Sequence, residues 1–302
     1  MPRQFHNQPE QSHQHQFLVD LWQEVRQATG GRVDVSVHAN NCGVAGSDPK
    51  VLEMLAAGEV EFATMMGPLI GNLVPAAEIQ GLPFAFHNSE HAHAAVDGVL
   101  GEHLRHEMQA HGIYLVPGGA LENGFRQICS ANRAVRTPED LAGYRMRVPA
   151  GRILAELFEA LGATPVTVNI DGLHAALKDG RVDGHENPLA IVEVNRLHDV
   201  TRHIAATSHV WSGFNLIASL RFWRSLSVQQ QDAVHRATKA HVARQRQHTV
   251  AFNLVLARKL RVEHVAQAPF RARLASALYA RWKERCGTTA WNLLRGAGGR
   301  LD

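Results

Sequence analysis

The stretch 228–260 contains neither glycine nor proline. Along it Val234, Ala237, Val242, Val250, Leu254 and Leu260 recur at helical spacing, which predicts one continuous helix. About 33 residues at 1.5 Å per residue extend for about 50 Å, more than the diameter of a small domain. Such a helix either protrudes or ties two domains together; two core helices with an unseen break are the alternative. A chain of 302 residues exceeds the usual single domain, so two domains are the default expectation.

Upstream, helical and extended patterns alternate. Residues 12–28 read as an amphipathic helix with Ser12 as N-cap, an apolar face of Phe17, Leu18, Leu21, Trp22 and Val25, and Gly30-Gly31 as its stop. Residues 32–38 alternate with period two, as a strand does. Asp48-Pro49 has the look of an N-cap followed by Pro at N1, Gly58 closes that helix, and 61–66 is the next strand. The alternation runs to Leu121 and predicts a doubly wound parallel sheet. A second set of units begins near Phe125, with strands at 125–129, 144–148, about 165–168 and 181–184. Its helices start at Thr137-Pro138-Glu139-Asp140 and cover 151–161 and 171–178, and an extended apolar run returns at 209–219.

Three short runs carry the chemistry: Asn123-Gly124-Phe125-Arg126, Arg145-Met146-Arg147-Val148-Pro149 and Val182-Asp183-Gly184-His185-Glu186-Asn187-Pro188. Each combines a short apolar segment with a planar charged or amide side chain and a break at Gly or Pro. Parallel strands deliver side chains in this way to the carboxyl edge of a sheet, where open α/β sheets bind ligands. Two guanidinium groups and a carboxamide gathered there suit a carboxylate, which accepts bidentately from the arginine fork. The expected activity is capture of a small organic acid.

Other chemistries find less support. The formal charge of +3 is small and both signs are interspersed, unlike the basic stripe of a nucleic-acid binder. No apolar run approaches the roughly 20 residues of a membrane span. Met1-Pro2-Arg3-Gln4-Phe5-His6 has no apolar core of the signal-peptide kind; taken literally it suggests a cytoplasmic protein, and it is also what a trimmed leader or a misplaced start would give. Cys42, Cys129 and Cys286 lie far apart, have no metal spacing and read as inert thiols. Among nineteen histidines, the pairs His13/His15, His91/His93 and His103/His106 lack a third ligand at a recognisable distance and read as solvated surface groups. Gly296-Ala297-Gly298-Gly299 follows no strand and is not a dinucleotide fingerprint. No cofactor and no metal are expected.

The runs Leu82-Pro83-Phe84, Asp97-Gly98-Val99-Leu100-Gly101, Asn123 to Arg126, Thr137 to Leu141 with Gly143, Arg147-Val148-Pro149, Leu161-Gly162-Ala163, Ala176-Leu177, Val182-Asp183-Gly184, Glu186-Asn187-Pro188 and His209 stand in a specific order. From about Asn7 to about Arg285 the chain resembles the solute-binding proteins of tripartite ATP-independent periplasmic (TRAP) transporters, dicarboxylate-binding type. The resemblance implies an α/β, two-lobed periplasmic-binding-protein-like fold. Each lobe would hold a mixed, mostly parallel sheet flanked by helices, with a long helix spanning both. Lobe I is expected at 1–123 plus 212–250 and lobe II at 124–211 plus 251–302, with the ligand cleft between them.

It further implies a periplasmic monomer that closes on a small organic acid and delivers it to a two-part TRAP-type membrane permease. By position, Arg147 matches the arginine that grips the carboxylate, Arg126 the second arginine and Asn187 the amide that contacts ligand. Asn7 matches a polar contact at the end of the first strand, and Asp48 and Met66 line the pocket from the first lobe. Ile170 stands where a phenylalanine is common, and Gly172 where a glutamate is. Glu186 and Trp211 complete the expected lining. Duller roles remain open: Arg126 as a salt-bridge residue, Glu186 and Asp183 around the loop after strand 181–184, Trp211 as core. So many hydrogen-bonding groups favour a hydroxylated acid, such as a sugar acid or small hydroxy acid. A ligand sensor with a signalling partner would have the same pocket, and an enzyme acting on a carboxylate would need a paired base or nucleophile that no motif supplies.

Overall fold

The computed structural model describes residues 1–274 and 276–301. Its strands, in chain order, are β1 (Arg3–Phe5), β2 (Ser36–His38), β3 (Phe62–Met66), β4 (Ile113–Leu121), β5 (Phe125–Ser130), β6 (Arg145–Val148), β7 (Thr164–Thr167), β8 (Gly184–Asn187), β9 (His203–Trp211) and β10 (Phe214–Ser219). They form two five-stranded sheets, ordered β2-β1-β3-β10-β4 and β7-β6-β8-β5-β9. In the first, β1 is parallel to β2 and β3, while β10 is antiparallel to β3 and β4. In the second, β6 is parallel to β7 and β8, while β5 is antiparallel to β8 and β9. One strand in each sheet thus opposes the other four, so the lobes are mixed and mostly parallel, and the purely parallel first sheet expected from the alternation is corrected. The opposing strand of the first sheet, β10, arrives from the second lobe. Its direction is set by the chain's return and leaves no mark in the hydrophobic period.

Local signals explain most element ends. Ser12 caps the helix His13–Ala28 by accepting from His15 N at 3.1 Å, and Gly58 closes the helix Ser47–Ala57 in the left-handed region. Asp48 lies inside that helix's first turn and Gly46 is its N-cap, so the capping role expected of Asp48 is corrected. The strand expected at 32–38 shortens to β2. The strand expected at 181–184 begins at Gly184, which puts Glu186 and Asn187 within the sheet.

The long helix is continuous from Val228 to Lys259, about 48 Å. Ser227 and Gln230 cap it reciprocally, at 3.3 and 2.8 Å. It packs on helix His13–Ala28 and β4 of the first lobe and on helix Leu189–Val194 of the second. Thr238, His241, Gln245 and Thr249 are buried along it, and Gln245 bonds Glu122 where the chain crosses between lobes. Within 251–302, helices Ser276–Cys286 and Thr288–Gly296 pack against residues 75–81 of the first lobe, and the latter also against helix Val99–Gln109. Among the described residues no helix is long and apolar enough to cross a membrane.

Candidate functional site

The antiparallel course of β5 brings the candidate residues together. Its first residues lie at the same sheet edge as the last residues of β6 and β8. Gln127 pairs with Asn187, and Arg147 with His185. Arg126 therefore stands at the start of its strand, not at the end as its run suggested, yet reaches the same edge as Arg147 and Asn187.

The two arginines have different surroundings. Arg126 is buried and bonds both carboxylate oxygens of Glu186, one of them through Nη2 at 2.6 Å. Nη2 also donates to Asn187 Oδ1 at 3.2 Å, and Nη1 donates to Ser212 Oγ at 3.0 Å and Met66 Sδ at 3.4 Å. Burial pushes the Glu186 carboxyl up, but Arg126 and His209 outweigh it and hold it down at about 2. His209 Nε2 lies 3.3 Å from Glu186 Oε2. Glu186 is thus a buried partner of Arg126 rather than a loop cap.

Arg147 is as buried as Arg126, at 2% exposure, but donates only from Nε, to Val168 O at 2.7 Å. Among the described residues its two terminal nitrogens have no protein acceptor, and no carboxylate lies within ion-pair distance of it. Burial, then the charge of Arg126, draw its pKa down to about 10. Glu186, Asp48 and Asp171 act on it only from beyond ion-pair distance, and a buried guanidinium whose terminal N–H groups have no acceptor suits an anion. Asn187 is fixed beside it: its Nδ2 is 3.0 Å from His185 Nδ1, and His185 Nε2 is 3.2 Å from Thr201 Oγ1. Burial, followed by the Arg147 charge, lowers His185 to about 3, so a neutral imidazole accepts from Asn187 and donates to Thr201.

The first lobe supplies the facing wall. Asp48 is buried and accepts from Asn7 Nδ2 at 2.8 Å and Asn41 Nδ2 at 2.7 Å. Burial raises its pKa, and those two amides and Arg147 oppose the rise. The sequence reading missed Asn41. It sits in a left-handed turn with φ of 49°, 51° and 54° at Asn40, Asn41 and Cys42, and the Asn40-Asn41 pair was the available signal, since Asn tolerates this region better than most residues. Met66 closes β3 beside Arg126, and Ile170 opens the helix Ile170–Lys178, buried in the second apolar cluster. Trp211 is buried with its indole N–H shared between the two oxygens of Glu122, both at 3.2 Å, so that donor is engaged within the protein. Gly172 follows Asp171 on the helix that Ile170 opens.

The lobes meet over this site. Asn72 Nδ2 donates to Ala150 O across the cleft at 2.6 Å, and Gly151 lies so close to Pro68 that an added Cβ would stand 3.0 Å from its ring. A cavity of about 10 Å³ lies beside Arg126, among Met66, Pro68, Leu154 and Ser212, and its lining includes neither Arg147 nor Asp48. A wider groove of about 1240 Å³ lies elsewhere, between helix Ser89–Asp97 and residues 246–254 of the long helix, and includes neither Arg147 nor Asp48. Arg145 pairs with Asp183 at 2.6 Å on the surface.

Several histidines expected to be solvated have protein partners: His15 with His6 at 2.9 Å, His91 with Ala297 O at 2.7 Å and His93 with Glu122 at 2.8 Å. Among the described residues no group of three or more His, Cys, Asp or Glu could hold a metal. Cys129 and Cys286 are buried; Cys42 is exposed.

The family model for bacterial extracellular solute-binding proteins, family 7, matches residues 5–285. The C4-dicarboxylate-binding periplasmic protein DctP of Rhodobacter capsulatus is 31% identical over 214 residues, 69% of this chain and 62% of that protein; the chain thus spans about three fifths of that relative. A TRAP periplasmic solute-binding protein of Xanthobacter autotrophicus, solved with β-D-galacturonate, superposes with a TM-score of 0.91 at 22% identity, over 99% of this chain and 100% of its own. The sugar acid binding protein DctPAm of Advenella mimigardefordensis, solved with galactonate, gives 0.91 at 24% identity, over 98% and 97%. Two mixed sheets joined by a helix across both, and a family match over nearly the whole chain, lead to one assignment: the chain belongs to the family 7 bacterial extracellular solute-binding proteins.

Proposed function

We propose that this protein is an extracytoplasmic receptor that closes on one small hydroxylated monocarboxylate, a sugar acid or hydroxy acid, and passes it to a TRAP-type permease. The observation that carries the reading is Arg147, a buried guanidinium that among the described residues has one protein hydrogen bond, from Nε, and no carboxylate in ion-pair contact. A carboxylate accepting its two terminal N–H groups would supply that contact. Asn187 would meet the same end of the ligand. Asp48, with both oxygens already bonded to amides, retains acceptor capacity suited to ligand hydroxyls. Arg126 acts at second hand in this reading, holding Asn187 and the Met66 edge in place. Relatives described as binding galacturonate and galactonate support the ligand class. The same family relation supports delivery to a permease.

A thermal-shift screen over sugar acids, hydroxy acids and dicarboxylates tests the proposal. A ligand at a hundredfold excess over Kd stabilises the folded form by about 2.7 kcal/mol. A clear rise in Tm with at least one hydroxylated monocarboxylate is expected, and mass spectrometry after incubation should recover the acid unchanged. No shift with any acid, or steady product formation, would refute it.

A further inference from the structure

The lobes are joined by two strand crossings, by the long helix and by the segment after it, which runs from Glu263 beside β9 to helices packed on the first lobe, so closure must turn on these connections. The first crossing is residues 122–124, between β4 and β5; the second is Ser212-Gly213, between β9 and β10. Glu122 contacts the first crossing, the strand end that enters the second, and the long helix. Its carboxylate is fully buried and accepts from Trp211 Nε1, at the end of β9, and from the Gly124 amide in its own crossing. His93 Nε2, from the first-lobe helix Ser89–Asp97, lies 2.8 Å from Oε2. Its backbone is gripped by the long helix, with its N–H donating to Gln245 Oε1 at 2.8 Å and its carbonyl accepting from Gln245 Nε2 at 2.7 Å.

Neighbouring contacts tie the same pieces. Ser212 N donates to Gly124 O at 3.0 Å, Asn123 Nδ2 to Ser212 Oγ at 3.3 Å, and Asn253 Nδ2 to Asn123 O at 3.2 Å. The Trp211 ring lies over Gly213 so closely that a Cβ there would stand 2.2 Å from it. Rotating one lobe against the other changes backbone torsions at 122–124 and 211–213. The Glu122–Trp211 bond spans both segments and cannot keep its geometry through such a rotation.

We infer that Glu122 is a hinge-positioning residue: its carboxylate fixes Trp211, His93 and the first crossing in the closed setting, and so sets how readily the receptor closes on ligand. Glu122 acts through the hinge and touches no ligand, and the inference rests on the receptor reading above. A residue of this kind changes the population of the binding-competent state, and apparent Kd rises by the inverse of that population for every ligand alike.

The test compares the parent with Glu122→Gln, which keeps the shape but removes one acceptor oxygen and the charge. Calorimetric titration with D-galactonate, D-glucuronate and D-erythronate should show all measurable Kd values weakened by one common factor, about tenfold, with their ranking unchanged. Small-angle scattering should show a larger ligand-free radius of gyration than the parent's. His93→Leu, on a half-buried helix face, should act in the same direction, whereas His93→Gln, which retains a donor, should stay near the parent. If Glu122→Gln does not fold, the His93 pair decides. Unchanged Kd values and radius would overturn the inference, as would a changed ligand ranking, which would mean direct contact. Should the parent bind none of the acids, the ligand reading falls while the ligand-free scattering still decides the hinge.

Discussion

Arg126 and Arg147 are the same side chain on strands of one sheet, buried to the same extent, and their difference lies in who answers their charge. Glu186 neutralises Arg126 within the protein, while Arg147 has no acid in contact. Substitutions should therefore separate stability from binding. Arg126→Met strands a buried Glu186 and should lower stability by about 3–5 kcal/mol. Arg147→Met removes a buried charge without breaking a pair, and should leave Tm equal or higher while abolishing acid binding. Arg147→Lys should bind almost as poorly as Arg147→Met, because a compact ammonium lacks the planar fork; the expected loss is about two to four decades in Kd. Calorimetry and melting of the three variants check the crossed pattern, and Arg147→Lys binding within threefold of the parent would remove Arg147 from the site.

The Glu186 pair also dictates a pH window. Its carboxyl is held at about 2, below its ordinary 4.5, so the folded form prefers it ionised. That stability is fully present above the ordinary carboxylate range and is lost as pH falls from about 4.5 through about 2. Urea unfolding across pH 6 to 2 should show this slope in the parent. Glu186→Gln should flatten it, and an unchanged slope would assign the acid sensitivity to other carboxylates.

At the scale of elements, legibility followed how local the cause was. Ser12, Gly58 and the unbroken 228–260 stretch act within their own turns, and all three were readable. Convergence of Arg126 with Arg147 and Asn187 was expected on the premise that each run ends a parallel strand. It arises instead because β5 runs backwards, so that a strand start meets strand ends. Strand direction depends on which neighbour the chain returns beside, and no period records it. The start of β8 was misread for a similar reason: Val182-Asp183-Gly184 carries the apolar pattern, while the pairing partner, β5, reaches only Gly184 to Asn187. Partners fixed by long-range contact, such as Glu122 for Trp211, left only composition as a clue. Gly213 is one such hidden constraint. Gly213→Ala should destabilise by about 1–3 kcal/mol or more, as overpacking does, and should change the tryptophan emission as the Trp211 ring is displaced. Parent-like emission and Tm would mean that the ring and crossing accommodate a methyl group.

At the scale of the whole molecule, the lobes are held by two sets of contacts, which should respond differently to ligand. On the cleft side the lips meet through Asn72 and Ala150 and through Pro68 and Gly151, a slender set with Asn72 exposed. The helix Ser276–Cys286 also bridges the lobes. Arg285 contacts Glu78 of the first lobe and bonds Glu156 of the second at 2.9 Å, and Trp282 Nε1 donates to Glu156 at 2.6 Å. Glu78 is buried, and burial raises its pKa against the pull of Arg285. Opening this clasp would leave buried acids unpaired, which costs far more than parting the lips. Hinge opening should therefore break the lip contacts and leave the clasp intact. Hydrogen exchange with and without saturating acid reads this directly. Segments 67–72 and 149–151 should gain protection on ligand binding, and 278–286 should be equally protected in both states. Loss of protection at 278–286 in the ligand-free protein would mean that the clasp opens with the cleft and that Arg285 belongs to the moving parts.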